Sequence, residues 1–221
     1  MFMETKNKIR NYSEADLILL LNLQRFVGEE NNPLLQQWLN VETQLTPMEQ
    51  FLFDEILVDA KHNIHAWHEE DLKMKFIAFV LRLAHLTDSP EYHTYFEKTL
   101  SATIDGHFLK TKTDFMVAKG ILDKPQQPYF HFQEWKPHKR PTGDSMAQLL
   151  EALLIAQEIN QHKFPMYGCE VMGKQWSFVI LEGKSYCLSK SYDCTEQDDL
   201  LKIIAILRHF RHLLLTQFLA R

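Results

Sequence analysis

The chain contains few cysteines and few glycines, and it has no surplus of basic residues. Its three cysteines among 221 residues are irregularly spaced and form no C-x-x-C pair. This pattern excludes a disulfide framework and a cysteine zinc site, and it is typical of a reducing cytoplasm. None of the seven glycines belongs to a Gly-rich phosphate loop or a G-x-S-x-G elbow. The formal net charge of −5 argues against indiscriminate nucleic-acid binding.

Long apolar runs are also missing. Four charged residues between positions 4 and 10 interrupt any stretch that could serve as a signal peptide. The most apolar predicted helix, residues 200–219, contains several Lys, Arg and His residues, so it cannot span a membrane. We therefore expect a cytoplasmic protein without a membrane segment.

The first third of the chain has the pattern of helices. Apolar residues are dense enough over 17–27 for a buried helix, and Asn32-Pro33 is typical of a capped helix start. Thr46-Pro47-Met48-Glu49 is a capping box, which predicts a helix over 47–61. Since no Gly- or Ser-rich linker follows, we expect residues 1–60 to form a helical extension packed on a domain formed by 61–221.

Strand patterns begin near Leu100. Asp105-Gly106 is a strong turn signal, so residues 100–110 form either one bent strand or a hairpin. The helix predicted over 145–160 would connect strands as a crossover. The sequence thus predicts an α/β fold, with a mixed β-sheet flanked by helices. Further strands are predicted at 113–119, 129–136, 166–172, 175–182 and 185–190.

Two of these strands carry the residues that suggest chemistry. Asp114 lies in one strand, and Glu134 and Lys136 lie in the next, after a long loop containing Gly120 and two prolines. Because side chains alternate along a strand, Glu134 and Lys136 must share a face, and Asp114 can meet them there. Two carboxylates and an ammonium on one face describe a divalent-metal site beside a cation that stabilises phosphate. Ordinary ion pairs on a solvated sheet face are the alternative.

This pattern resembles the PD-(D/E)XK nuclease superfamily, whose Asp and Glu-x-Lys signature is matched by Asp114, Glu134 and Lys136. The order of elements is also similar: a helix carrying a Glu, three strands, a helix and further strands. The Gly-x-x-Trp-x-Phe pattern at 173–178 is similar to type I restriction nuclease-like domains. The resemblance implies a restriction endonuclease-like core over 61–221, with Mg²⁺ or Mn²⁺ held by Asp114 and Glu134 for hydrolysis of DNA.

The resemblance implies roles for three further residues. Glu69 or Glu70, with Glu69 favoured, would complete the metal shell from the start of a helix, although acids in a first turn also stabilise a helix without metal. Gln148 would lie near the catalytic lysine or the phosphate backbone, or it is a helix-surface residue. The apolar stripe expected to pack under the sheet comprises Leu72, Phe76, Phe79, Val80, Leu83 and Leu86.

Basic residues follow the signature directly. Lys136, His138, Lys139 and Arg140 would meet DNA phosphates, or they form a solvated loop. The leading hypothesis is a Mg²⁺-dependent deoxyribonuclease. The alternative is a catalytically inactive nuclease-fold module that binds DNA or another protein. A homodimer and a partner subunit of the restriction or helicase type both fit the resemblance.

Overall fold

The computed structural model describes residues 12–138 and 143–220. It confirms an α/β fold with a mixed sheet of seven strands, in the order β1-β7-β6-β5-β4-β3-β2, flanked by helices. The strands are β1 (Gln24–Val27), β2 (His93–Ile104), β3 (His107–Ile121), β4 (Lys124–Lys136), β5 (Met166–Met172), β6 (Gln175–Glu182) and β7 (Ser185–Asp193).

Helices cover both faces of this sheet. The segments Lys73–Ile77, between α4 and α5, and Leu214–Phe218, after α7, are π-helical, and Glu29–Asn31 is a 3₁₀ turn. Among the described helices, none is both long enough and apolar enough to cross a membrane. The α-helices are α1 (Glu14–Leu21), α2 (Pro33–Leu39), α3 (Pro47–Asn63), α4 (Glu69–Leu72), α5 (Ala78–Leu83), α6 (Ser145–Ile159) and α7 (Gln197–Leu213).

The predicted caps of α2 and α3 are confirmed. The Asn32 side chain accepts a hydrogen bond from the main-chain N–H of Leu35 at 2.8 Å. Thr46 and Glu49 form a reciprocal capping box at the start of α3. Each cap satisfies main-chain donors that the first helical turn leaves unpaired.

The helix predicted over 17–27 is wrong in its second half. It ends at Leu21, because Asn22 adopts a left-handed conformation with φ 53° and the chain then enters β1. This short strand pairs in parallel with β7 and belongs to the common sheet. Its four residues are exposed, and the apolar residues Phe26 and Val27, which had extended the predicted helix, belong to this strand at the sheet edge. The division at residue 60 stays a prediction.

Two tight hairpins join β2, β3 and β4. Between β2 and β3, Asp105 and Gly106 have φ values of 49° and 80°, and Ile104 pairs with His107, as in a two-residue type I′ turn. This confirms the hairpin alternative. The long loop expected before Glu134 is wrong, since Ile121 pairs with Lys124 across another tight turn. Irregular register near Ala118 accommodates the additional residues of β4.

The sheet separates two hydrophobic cores. Helix α6 connects β4 to β5, which are parallel neighbours, and packs with α1 on one face, which we call the α6 face. Helices α2, α3, α5 and α7 cover the opposite face. Of the apolar stripe predicted under the sheet, Phe79 is 40% exposed and the other five side chains are buried.

Trp38 packs the N-terminal third of the chain against the rest of the molecule. Its fully buried ring contacts Tyr167 and Phe178 edge-on, and its indole N–H donates to the carbonyl of Ile206 at 3.0 Å. Packing of this kind makes α2 part of the core opposite α6.

Replacing Trp38 by Ala should therefore destabilise the whole molecule. We expect a loss of about 3–5 kcal/mol in the free energy of unfolding, as for other large aromatic truncations in cores. Urea denaturation followed by circular dichroism measures it, with the exposed Leu19 replaced by Ala as the control. A loss in Trp38→Ala no larger than in Leu19→Ala would contradict the assignment of α2 to the core.

Candidate active site

Four neighbouring strands bring four carboxylates into one row across the sheet. The pairs Phe96–Phe115 and Lys98–Thr113 place Glu97 opposite Asp114. The pair Phe115–Gln133 ends the ladder between β3 and β4, so the next residues on these strands are Asp114 and Glu134. Glu134 in turn pairs with Glu170 of β5. We call Glu97, Asp114, Glu134 and Glu170 the acidic row.

Glu134 and Lys136 project on the α6 face. Phe132 belongs to the core under α6, whereas Trp135 belongs to the opposite core. Alternation along β4 then places Glu134 and Lys136 with Phe132. The shared face expected for Glu134 and Lys136 is thus present.

Asp114 is fixed by the main chain of the neighbouring strand. Its Oδ2 accepts a hydrogen bond from the N–H of Trp135 at 2.8 Å, where regular pairing of β3 and β4 has ended. Burial raises the pKa of Asp114, and the Trp135 N–H and the nearby Lys73 oppose this rise. The carboxylate thus replaces a carbonyl as the acceptor for a main-chain donor.

Lys73 lies at the centre of a second group of acids. Its Nζ donates to Glu69 Oε1 at 2.6 Å, Glu97 Oε1 at 2.9 Å and Asp114 Oδ1 at 3.1 Å, so all three N–H bonds of the ammonium are used. Burial lowers the pKa of Lys73, but Glu69 and Glu97 outweigh this effect and raise it. We call Glu69, Glu97 and Asp114 the acidic triad. Lys112 forms a further ion pair with Glu97.

Glu134 is the most buried acid of the row. It is 2% exposed, and its Oε1 accepts a hydrogen bond from Lys136 Nζ at 2.8 Å. Its Oε2 is buried and has no hydrogen-bond partner among the described residues. Burial, followed by the charge of Asp114, raises the pKa of Glu134 to about 8. A buried carboxylate oxygen without a partner is costly, and this atom is therefore available to accept a hydrogen bond or to coordinate a cation.

The carboxylate oxygens of this site suit a hard divalent cation as ligands. The triad offers three carboxylate oxygens within 4.8 Å of one another, and Glu134 adds its free oxygen nearby. Oxygen ligands of this kind suit Mg²⁺ and Mn²⁺. The ammonium of Lys73 fills the triad, so a cation would lie between Asp114 and Glu134 or displace Lys73.

The other residues predicted from sequence are only partly brought together. Glu69 joins the triad, whereas Glu70 is exposed and lies outside it. Gln148 is half-buried, and its Oε1 has no hydrogen-bond partner among the described residues. His138 is exposed and contacts Gly173. Lys139 and Arg140 lie outside the described residues.

Sequence reasoning missed Glu97, Lys73 and Lys112. A signal for Glu97 exists: a two-residue turn at Asp105-Gly106 pairs Ile104 with His107, and counting outward along both strands puts residue 97 opposite residue 114. No comparable signal identifies Lys73, because it reaches the triad from a helical segment packed beside the sheet. In comparisons with known proteins, neither a protein-family model nor a curated sequence matches this chain.

Removing the ammonium from the triad should destabilise the protein and strengthen its binding of cations. Lys73→Met leaves three carboxylates without their shared partner, and we expect a loss of about 1–3 kcal/mol in the free energy of unfolding, less than for a fully buried ion pair. Addition of Mn²⁺ should raise the melting temperature of this variant more than that of the wild type. Differential scanning calorimetry with and without Mn²⁺ measures both effects.

Lys75→Met is the matched control. Lys75 follows Lys73 in the same segment and pairs with Asp71 four residues earlier, but its side chain is 53% exposed. Such surface pairs contribute about 0–1 kcal/mol. An equal loss of stability in the two variants, or an equal response to Mn²⁺, would show that the triad is not a distinct site.

Glu134→Gln should remove part of the pH dependence of stability. The pKa of Glu134 rises from 4.5 to about 8 on folding, so the folded protein binds more protons between these values. This contribution to stability is complete below the unfolded pKa and is lost as pH rises through the folded one. We therefore expect the unfolding free energy of the wild type to fall relative to the variant between about pH 5 and about pH 8.

Urea denaturation at a series of pH values measures this difference. Glu151, whose pKa burial raises to about 7, is present in both proteins, so its contribution cancels. Mg²⁺ should reduce the difference, because a bound cation favours the carboxylate. Parallel pH profiles of the two proteins would contradict the raised pKa.

Proposed function

We propose that this chain is a metal-dependent nuclease that hydrolyses DNA phosphodiester bonds. The observation that carries the proposal is the buried, unpartnered Oε2 of Glu134 beside Asp114, with Lys136 on the same face. Two carboxylates that must share a confined space favour a divalent cation between them. A Mg²⁺ or Mn²⁺ ion bound there would polarise the scissile phosphate and lower the pKa of an attacking water.

The order of elements supports a restriction endonuclease-like core. The acidic α4 precedes the antiparallel strands β2, β3 and β4, and α6 then crosses to the parallel strand β5. This is the order that the resemblance to the PD-(D/E)XK superfamily implies. It also places Asp114 and the Glu134-x-Lys136 segment on adjacent strands.

Each residue of the site would have a separate role in the hydrolysis. Asp114 and Glu134 bind the cation, and the Trp135 N–H holds the Asp114 carboxylate in orientation. Lys136 keeps its charge, because Glu134 outweighs the effect of burial and raises its pKa, so it can offset negative charge on the phosphate. Glu69 and Glu97 position Asp114 through Lys73.

Lys136 and His138, with Lys139 and Arg140, would contact the DNA backbone. A homodimer or a restriction-type partner subunit would supply targeting.

A second candidate is an inactive nuclease-fold module that binds DNA or a protein. One observation favours it: Lys73 already satisfies the three carboxylates of the acidic triad. A protein that had lost catalysis could retain its fold with this internal cation in place.

Conservative substitutions should distinguish the two candidates. Asp114→Asn and Glu134→Gln should each abolish Mg²⁺-dependent nicking of plasmid DNA while the circular dichroism spectrum stays unchanged. Lys136→Met should lower the rate about 10²–10³-fold, as expected for one lost electrostatic donor. Glu70→Gln removes an exposed acid outside the triad and should leave the rate unchanged.

Two results would count against catalysis at this site. Nicking that survives unaltered in Glu134→Gln would place the chemistry elsewhere. A wild-type protein that binds DNA but does not cut it with Mg²⁺ or Mn²⁺ would establish the second candidate.

A further inference from the structure

A small cavity of about 260 Å³ lies where the end of α5, the loop before β2 and α7 meet. Two arginines, Arg82 and Arg211, line it together with the hydroxyl-bearing side chains of Thr87 and Tyr92. It is separate from the acidic row, with which it shares no residue. Its composition differs from that of the chain as a whole, which is acidic.

Arg211 is anchored but not neutralised. Its Nε donates to the hydroxyl of Tyr92 at 3.2 Å. Burial raises the pKa of Tyr92, so this partner is an uncharged phenol. No carboxylate among the described residues pairs with Arg211, and its two terminal nitrogens remain available as donors on one edge of the guanidinium.

The contrast with Arg208, one turn earlier on α7, is informative. Arg208 is bound by the Glu49 carboxylate at 2.6 Å and by the carbonyl of Leu83 at 2.8 Å. The Arg82 side chain, in contrast, is exposed and makes no hydrogen bond or ion pair within the described part of the chain. Arg208 thus has a carboxylate partner, whereas Arg82 and Arg211 in the cavity wall have no counterion among the described residues.

Asp88 is the only carboxylate among the described residues that line the cavity, and it does not compensate for the two arginines. Its Oδ1 accepts hydrogen bonds from the N–H of Thr94 at 2.7 Å and from the Thr94 hydroxyl at 2.8 Å. These contacts hold Asp88 against the start of β2, and it forms no ion pair with either cavity arginine among the described residues. The wall therefore has a net positive charge.

We propose that this cavity binds a phosphate group. Two guanidinium groups offer paired, planar donors that match phosphate oxygens bidentately. The volume lies below the roughly 300–1,000 Å³ of sites for drug-sized ligands, so it suits free phosphate or a small phosphorylated ligand. The proposal does not depend on the nuclease function.

Isothermal titration with inorganic phosphate tests it on the full chain. We expect saturable binding that Arg82→Gln and Arg211→Gln each weaken at least about tenfold, as for one lost hydrogen bond between charged groups. Lys61→Gln removes the same charge from an exposed position on α3, outside the cavity, and should leave the affinity unchanged. Because the Arg82 side chain is exposed, Arg82→Gln should fold like the wild type. A change in its phosphate affinity then reports on the cavity and not on folding.

Other ligands identify the source of the phosphate. A nucleoside monophosphate that binds more tightly than inorganic phosphate, while the nucleoside alone does not bind, would identify a phosphorylated nucleoside as the ligand. Equal affinity for phosphate and the monophosphate would identify the free ion. Absence of saturable phosphate binding, or equal weakening by Lys61→Gln and Arg82→Gln, would overturn the proposal.

Discussion

The hydrogen bond from the Trp135 N–H to Asp114 Oδ2 is the contact on which the candidate active site depends. It lies where the ladder between β3 and β4 stops, and it supplies an acceptor that the separating strands no longer provide. The Trp135 ring stacks on Phe115 at 5.8 Å in the core opposite α6, so packing in this core fixes the position of the donor. Lys73 lies 6.0 Å from the same ring. One peptide group thus couples the hydrophobic core to the acidic triad.

The charged groups near this hydrogen bond form two different arrangements, one in the acidic triad and one around Glu134. In the triad, carboxylates surround one ammonium, and Glu97 and Glu69 are open enough to water for their repulsion to be screened. Around Glu134 the solvent is excluded, and a single ion pair with Lys136 leaves one oxygen unsatisfied. The first arrangement resembles a structural ion-pair network. The second retains an energetic cost that a bound cation would relieve, which is why the proposed function rests on Glu134 and not on the triad.

Local signals in the sequence predicted the parts of the site that depend on one strand or one helix end. Strand alternation was enough to place Glu134 and Lys136 on one face, and the capping residues located α2 and α3. The position of Glu97 follows from the strand register, and that register could be predicted only if residues 100–110 were taken to form a hairpin. Lys73 depended on packing between a helix and the sheet, which no periodicity encodes. The edge strand β1 was missed because four residues without a buried face have too weak a pattern.

The Asp105-Gly106 turn has a consequence for how this chain can vary. It lies eight positions from both Glu97 and Asp114, yet its two-residue length determines which side chains stand opposite each other. Inserting or deleting a single residue anywhere in these arms would turn Glu97 to the other side of the sheet. Homologous chains that keep the site should therefore show length changes between the turn and the site only as matched pairs, one in each strand.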